Sequence, residues 1–283
     1  MDEQKVGMFS KGRWLLLIVL PLVMGILLSI AVPQPIIGLI YFNDAIYDFS
    51  AKELITQLTY ARDHPEVRAV VIVLNSPGGT VVDTEAVYME IARLREKKPV
   101  ITLIEGMAAS GGYYVAVGTD YIIAKPSSEV GNVGVLTYLP DIPSVEEDLY
   151  STGPYKLWGS PRDTVIRELE MIKQGFLQAV LLGRGKALKT DEQTILRGQI
   201  WLGSEALRMG LVDQLGSLSH AIEKAAAMAR VSHYRSEDLR PLSGLPEISY
   251  LPFFVEYPDG RLTSYPRKPG IYLLYIPTME GAR

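Results

Sequence analysis

The sequence contains no cysteine and only three histidines among its 283 residues. The absence of cysteine excludes disulfide bonds, thiolate metal sites and a cysteine nucleophile. The histidines lack the spacing of metal ligands, and none follows a predicted strand, so a serine–histidine–aspartate arrangement has little support. They are His64, His220 and His233. We therefore expect no metal site.

Basic residues are too few and too scattered to indicate a nucleic-acid partner. Lysine and arginine number 28 against 32 aspartate and glutamate residues, which gives a formal net charge of -4. A nucleic-acid-binding domain ordinarily carries a basic stripe. With 48% hydrophobic residues, the chain is long enough for one sizeable core in one or two domains. These features predict a globular enzyme or binding domain.

One long uncharged run near the N-terminus predicts a membrane anchor. From Trp14 to Val32 the sequence carries no charge, and its length is close to the roughly 20 residues that cross a bilayer as a helix. Basic residues precede this run and the first charges after it are acidic, so the positive-inside rule places the N-terminus in the cytoplasm. We predict a cytoplasmic segment at 1–13, an anchor at 14–32 and the remaining chain outside the cell membrane.

Two other interpretations of this run stay open at this point. Ser29 and Ala31 form the small-x-small pattern of a signal-peptide cleavage site, although the run exceeds the roughly 7 to 15 apolar residues usual in signal peptides. A buried core helix would need cover on all sides, and Pro21 near its middle is easier to accommodate in a membrane helix. A retained anchor is therefore the favoured prediction.

After residue 36 the chain alternates short apolar runs with helical patterns. The runs IIGLIYF (36–42), AVVIVL (69–74) and PVITLI (99–104) predict strands of a parallel sheet that is covered on both faces. One of the intervening helices is expected to begin near Ser50, with Glu53 in capping-box spacing. This order predicts right-handed βαβ units and an α/β fold.

The remainder is predicted to be mainly helical up to about residue 232, beyond which the composition changes to proline, tyrosine and short β-prone runs. Within that last part, FFVEYPDGRLTSY (253–265) predicts a hairpin, because Pro-Asp-Gly divides two β-prone runs. We assign no role to the extension at 231–283.

Two of the predicted strands end in segments with unusual chemistry. NSPGG (75–79) follows the second strand, and EGMAASGG (105–112) follows the third. In parallel α/β sheets the functional groups lie at the carboxyl ends of the strands. We therefore expect both segments to meet at one edge of the sheet.

Ser110, in the second of these segments, has two interpretations. A serine before a helix is often an N-cap, but it is a nucleophile when a base removes its proton and backbone N–H groups hold the resulting oxyanion. Gly78 and Gly79 could supply those amides, although Pro-Gly-Gly alone is an ordinary turn.

Lys156 is the candidate base. Tyr155, Leu157 and Trp158 flank it in the sequence and could desolvate its amine. Desolvation matters because a lysine is neutral near pH 7 only when burial lowers its pKa. A solvated lysine is the ordinary alternative.

Taken together, these segments resemble the S49 family of serine peptidases. The resemblance covers roughly residues 36 to 230 and follows, in chain order, NSPGG, MAASGGYYVAVGTDYIIA, EVGNVGVL, YKLWGSP and GRGKALKTDEQTILRGQIWLGSEALRMGLVDQLG. It implies the α/β/α fold that Clp-type peptidases and crotonases share, and a serine–lysine dyad that needs no cofactor. It also implies hydrophobic peptide substrates, including signal-peptide remnants left in the membrane.

Carried onto this sequence, the resemblance places the nucleophile at Ser110, the general base at Lys156 and the oxyanion hole at Gly78 with Gly79 adjacent. Where the family usually has a serine whose hydroxyl supports the lysine, this chain has the segment GNVG, and Asn132 takes that place. The side-chain oxygen of asparagine can accept a hydrogen bond from a lysine amine.

The resemblance also implies a homo-oligomeric ring in which neighbouring subunits contribute the serine and the lysine. One rival is a non-catalytic membrane scaffold that keeps the fold, with Asn132 as its only support in the sequence. Another is acyl-CoA chemistry on the related crotonase fold, which CoA binding would distinguish. The joint presence of Ser110, Lys156 and the glycine turn favours the peptidase.

Overall fold

The computed structural model describes residues 16–25, 34–137, 152–153, 155–156, 159–246 and 271–274. The first of these ranges is a helix, α1, whose apolar side chains are exposed, so it is not a core helix of this chain. The anchor predicted at 14–32 extends beyond the described residues on both sides. Among the helices in the described ranges, none combines the length and apolarity needed to cross a membrane.

The remaining elements form an α/β domain. Its strands, in chain order, are β1 (Ile36–Phe42), β2 (Val67–Ser76), β3 (Gly78–Thr80), β4 (Val100–Ala109), β5 (Tyr121–Ala124), β6 (Glu129–Gly131), β7 (Leu136–Thr137), β8 (Ile200–Leu202), β9 (Gln214–Leu215), β10 (Arg235–Asp238) and β11 (Ile271–Leu274). Its helices are α2 (Asp48–Asp63), α3 (Val81–Arg95), α4 (Gly111–Val117), α5 (Arg162–Arg184), α6 (Glu192–Ile195), α7 (Gly203–Met209), α8 (Leu218–Met228) and α9 (Leu239–Leu242).

Two sheets organise these strands. The larger sheet has the order β10-β1-β2-β4-β5-β9, with all neighbours parallel, and β6 extends it by pairing with both β4 and the antiparallel β8. The smaller sheet has the order β3-β11-β7 and is antiparallel. The central strands of the larger sheet are almost entirely buried, as the continuous apolar runs predict.

Helices cover both faces of the larger sheet. Successive side chains of a strand point to opposite faces, and in β2 the residues Val70, Ile72 and Leu74 pack with α2, α3, α4 and α5. The alternate residues of the same strand pack with the alanine-rich face of α8. This is the α/β/α arrangement that the sequence predicts.

The predicted start of α2 was wrong. Tyr47 occupies the N-cap, and Ser50 lies inside the first turn, where its hydroxyl accepts a hydrogen bond from the Tyr47 N–H at 2.9 Å. The same hydroxyl donates to the Ala45 carbonyl oxygen at 2.6 Å. The helix therefore begins at Asp48, and Ser50 does not cap it with Glu53. The hairpin predicted at 253–265 lies outside the described residues.

The short helix α4 is anchored from its first turn. Tyr113 is fully buried, and its hydroxyl donates a hydrogen bond to the Leu211 carbonyl oxygen at 2.8 Å. Burial raises the pKa of Tyr113 well above its ordinary value, because the phenolate would lose its hydration. Close packing continues at the other end of α4, since a Cβ on Gly183 of α5 would lie 2.2 Å from the Val117 carbonyl oxygen.

The raised pKa of Tyr113 predicts a loss of stability in alkali. The unfolded chain releases the tyrosine proton near its ordinary pKa of about 10, whereas the folded chain retains it, so the free energy of unfolding falls above that pH. We expect Tyr113→Phe to cost about 1 kcal/mol at neutral pH and to fall less steeply above pH ~10. Urea denaturation across this range measures both effects, and equal slopes for the two proteins would contradict the assignment.

Candidate active site

Ser110 occupies the turn between the end of β4 and the start of α4. Its backbone has φ 52° and ψ -120°, a conformation that non-glycine residues seldom adopt and that costs about 1–3 kcal/mol. Two backbone hydrogen bonds hold it: the Ser110 N–H donates to the Gly131 carbonyl oxygen at 2.8 Å, and the Ser110 carbonyl accepts from the Tyr114 N–H at 3.0 Å. The surrounding structure thus maintains a strained residue at this strand end.

The Ser110 hydroxyl does not cap the helix. Ser110 lies at the N-cap position and is buried, with 2% of its surface exposed, but its side chain makes no capping hydrogen bond to α4. The sequence therefore predicts correctly that Ser110 occupies the N-cap position, but its hydroxyl does not form the hydrogen bond of a capping residue. A serine held on a sharp, strained strand-to-helix turn is the arrangement in which hydrolases present a nucleophilic hydroxyl.

The Pro-Gly-Gly turn requires both of its glycines. Gly78 has φ 98°, in the region that favours glycine. A Cβ on Gly79 would lie 1.8 Å from the Ile46 carbonyl oxygen, so no larger residue fits there. The Gly78 N–H donates to the Ser76 hydroxyl at 3.2 Å. Ser76 is fully buried, and it is a contact to the proposed oxyanion position that the sequence analysis did not identify.

The two strand-end segments meet, as predicted from the sequence. Ser76 of β2 pairs with Ala108 of β4, two residues before Ser110. A Cβ on Gly112 would lie 2.6 Å from the Ser76 carbonyl oxygen, so the first turn of α4 packs directly on the segment that carries Gly78. The geometry therefore joins the serine turn and the glycine turn in one site.

The first amide of α4 is a further candidate oxyanion donor. The Ser110 N–H is occupied by Gly131, but the initial N–H groups of a helix have no intrahelical partner. Gly111 is the first residue of α4 and directly follows the serine. In hydrolases with a serine on such a turn, the N–H of the following residue contributes to the oxyanion hole. The signal for Gly111 in the sequence is its position after Ser110.

Lys156 is exposed in the described part of the chain. It lies in a turn in which its N–H donates to the Gly153 carbonyl oxygen at 3.2 Å. Ser110, by contrast, is buried, and the hydrogen bonds among the described residues do not connect the two side chains. Leu157 and Trp158, which were expected to desolvate the lysine, lie outside the described residues.

A different lysine has a lowered pKa, but it lies at the wrong end of the sheet. Burial lowers the pKa of Lys98, whose amine donates hydrogen bonds to the carbonyl oxygens of Ala61 and His64. Lys98 precedes β4, whereas Ser110 follows the same strand. It therefore fastens the end of α2 and cannot reach the serine.

Asn132 lies next to the serine turn, directly after the residue that accepts the Ser110 N–H. It has φ 56°, a left-handed conformation that asparagine tolerates better than most residues. Its side-chain Nδ2 donates to the Gly198 carbonyl oxygen at 2.7 Å, and its N–H donates to the Gln199 carbonyl oxygen at 2.8 Å. With Nδ2 engaged in this way, the acceptor atom Oδ1 is the part of the amide left for another donor.

The site has no metal-binding character within the described residues, where no group of histidine and acidic side chains is arranged to hold a metal ion. A parallel sheet between helical layers, with a strained serine and a glycine turn at its carboxyl edge, defines a Clp-type α/β fold. The Clp protease family model matches residues 37–130. A membrane-bound stomatin-specific protease, 1510-N, shares the fold with a TM-score of 0.51 at 17% identity, covering 74% of this chain and 95% of its own.

The sequence comparisons define the family more closely. The model of peptidase family S49 matches residues 92–232. A putative protease of Synechocystis is 32% identical over 62% of this chain and 69% of its own length. The chain belongs to peptidase family S49.

Longer relatives are also similar to this chain. Protease 4 of Salmonella typhi is 32% identical over 70% of this chain and 35% of its own length. The chloroplastic serine protease SPPA of Arabidopsis thaliana is 31% identical over 70% of this chain and 32% of its own length. The chain thus spans about one third of the length of these relatives.

The close approach at Gly112 predicts that this position will not accept alanine. We expect Gly112→Ala to lower the free energy of unfolding by about 1–3 kcal/mol, because the added methyl group meets the Ser76 backbone. Gly175, within α5, has open space where a Cβ would lie and is the matched control. There alanine should stabilise the helix by about 0.5–1 kcal/mol. Denaturant titration of both variants tests the contact, and equal stability of the two would refute it.

Proposed function

We propose that the chain is a membrane-anchored serine endopeptidase whose nucleophile is Ser110 and whose general base is Lys156. The observation that carries the proposal is the conformation of Ser110. Its φ is 52°, and its hydroxyl, between β4 and α4, makes no capping hydrogen bond to the helix. Membership in family S49 supports the reaction class. The proposed chemistry is acyl transfer and requires no metal or other cofactor.

In the proposed reaction, neutral Lys156 removes the proton of the Ser110 hydroxyl as its oxygen attacks the carbonyl carbon of the scissile bond. The carbonyl electron pair moves to oxygen, where the amides of Gly79 and Gly111 would stabilise the oxyanion. The Gly78 amide would contribute only on leaving the Ser76 hydroxyl to which it donates. The C–N bond then breaks, and the lysine returns its proton to the leaving amine. Water hydrolyses the acyl-enzyme through the same proton transfers.

The exposure of Lys156 supports a dyad shared between subunits. A lysine that acts as a base must be desolvated, and the described part of one chain leaves Lys156 exposed while Ser110 is buried. The N-terminal half of α5, which follows the lysine segment, also exposes the apolar residues Ile166 and Met171. A neighbouring copy would cover both features. We therefore propose a homo-oligomeric ring in which each subunit completes the dyad of its neighbour.

The proposed anchor at 14–32 places this ring at the cell membrane with the catalytic domain outside the cytoplasm. The uncharged run and the basic residues before it support this topology. The exposed apolar side chains of α1 are compatible with a lipid environment. An enzyme held at the membrane surface encounters hydrophobic peptides there, so the proposed substrates are hydrophobic peptides such as remnant signal peptides.

The dyad predicts a specific pattern of activity in mixed assemblies. In detergent, Ser110→Ala and Lys156→Ala should each lower the hydrolysis of a hydrophobic fluorogenic peptide by at least about a thousandfold. Co-assembly of the two inactive variants should restore about a quarter of the activity, since random mixing rebuilds about one shared site in four.

Differently tagged subunits verify that the two variants have co-assembled. Mixed rings that remain inactive would contradict a shared dyad. A wild-type protein that hydrolyses none of several hydrophobic peptides would favour the non-catalytic scaffold, and binding of CoA would favour crotonase-like chemistry.

The support of the lysine by Asn132 can be separated from its backbone role. Asn132→Gly keeps access to the left-handed conformation but removes the side-chain amide. We expect it to fold normally and to lower kcat about tenfold. This factor corresponds to the free energy of about one hydrogen bond to a catalytic group. Asn132→Ala is the matched comparison, because it removes the same amide and also strains the backbone. Wild-type kcat in the glycine variant would show that Asn132 serves only the turn.

A further inference from the structure

The smaller sheet brings a distant part of the chain to the site. Its central strand is β11, which pairs on one side with β3 of the Pro-Gly-Gly turn and on the other with β7. β3 contains both glycines of the turn, and β7 comes shortly after Asn132. A strand from the C-terminal extension therefore joins the glycine turn to the segment that follows Asn132.

The backbone contacts show which edge of β3 this strand covers. The Gly78 carbonyl oxygen accepts from the Ile46 N–H at 2.8 Å, and the Thr80 N–H donates to the Ile46 carbonyl oxygen at 2.9 Å. Adjacent residues in a strand direct their N–H and C=O groups to opposite edges. The N–H and C=O of Gly79 therefore face the other edge, where Leu273 is the paired residue.

The register brings the strand to the oxyanion position. Leu273 lies opposite Gly79, and Leu274 lies opposite Gly78. The chain of β11 thus runs antiparallel to β3 and reaches the level of the proposed oxyanion donor at its last residue. Its sequence, Ile-Tyr-Leu-Leu, consists of three aliphatic residues and one tyrosine.

We propose that residues 271–274 are an internal strand ligand, which occupies the peptide-binding edge of β3 and must be displaced before a peptide substrate can bind. An exposed strand edge recognises extended peptides through main-chain hydrogen bonds. The β3 edge offers such bonds close to the serine turn. In the absence of substrate this edge is paired with residues 271–274, which are mainly hydrophobic, as the proposed substrates are. The inference rests on the proposed peptidase function for the identity of the competing ligand.

A tethered ligand of this kind acts as an intramolecular competitive inhibitor. Because it belongs to the same chain, its effective concentration is on the order of millimolar even when its intrinsic affinity is weak. Releasing it should lower the apparent KM for a peptide substrate without changing kcat, since the catalytic groups are untouched.

Proline at position 273 tests this competition in the full-length protein. Leu273→Pro removes the N–H that faces Gly79 and should release the strand, whereas Leu273→Ala keeps that N–H and is the matched control. We expect the proline variant to lower the apparent KM about tenfold at unchanged kcat. A change of this size corresponds to weakening the internal strand by about one or two backbone hydrogen bonds. The alanine variant should resemble the wild type.

Hydrogen exchange of the Gly79 amide provides a readout that does not depend on catalysis. Exchange should be slow in the wild type and in Leu273→Ala, and at least about tenfold faster in Leu273→Pro. If exchange changes in this way but no variant hydrolyses peptide, the assignment of residues 271–274 as a releasable strand on β3 is supported and the proposed peptidase function fails. Gly79 exchange that is equal in all three proteins, or a raised KM in the proline variant, overturns the inference.

Discussion

The contact between the first turn of α4 and the backbone of Ser76 is the constraint on which the site depends. It is possible only because Gly112 has no side chain, since a Cβ there would meet the Ser76 carbonyl oxygen at 2.6 Å. With this contact in place, β2 and β4 end side by side, and the serine turn lies against the glycine turn. The positive φ of Ser110 follows from the same sharp reversal of the chain. Buried packing beneath α4, including Tyr113, keeps this turn from relaxing.

The two halves of the proposed dyad differ sharply in their surroundings. The fold of one chain buries and orients Ser110, whereas Lys156 lies exposed on a turn before the N-terminal half of α5, where Ile166 and Met171 are exposed. Preorganisation of the serine is therefore a property of the domain, and desolvation of the lysine is assigned to assembly. In the proposed ring, this division would keep a single subunit inactive until it assembles.

Local sequence patterns predicted three central strands of the larger sheet and the meeting of the two turns. The apolar runs of β1, β2 and β4 could be recognised because parallel strands are buried on both faces. The start of α2 could not, because the role of Ser50 depends on a contact with Ala45 outside the helix. Pairing of β11 with β3 was equally inaccessible, since it joins segments that are far apart in the sequence. The exposure of Lys156 was not predicted either, because the apolar and aromatic residues beside it in the sequence indicated a desolvated amine.

The proposed enzyme thus combines a strained serine, a glycine turn and an edge strand already occupied by its own chain. Its central claim is that Ser110 is the nucleophile. The most direct measurement is mass mapping of the protein after reaction with a hydrophobic peptidyl phosphonate, which forms a stable bond with an activated serine. The adduct should lie on the tryptic peptide that contains Ser110. An adduct on another serine of an active preparation, or none while peptide is hydrolysed, would contradict the claim.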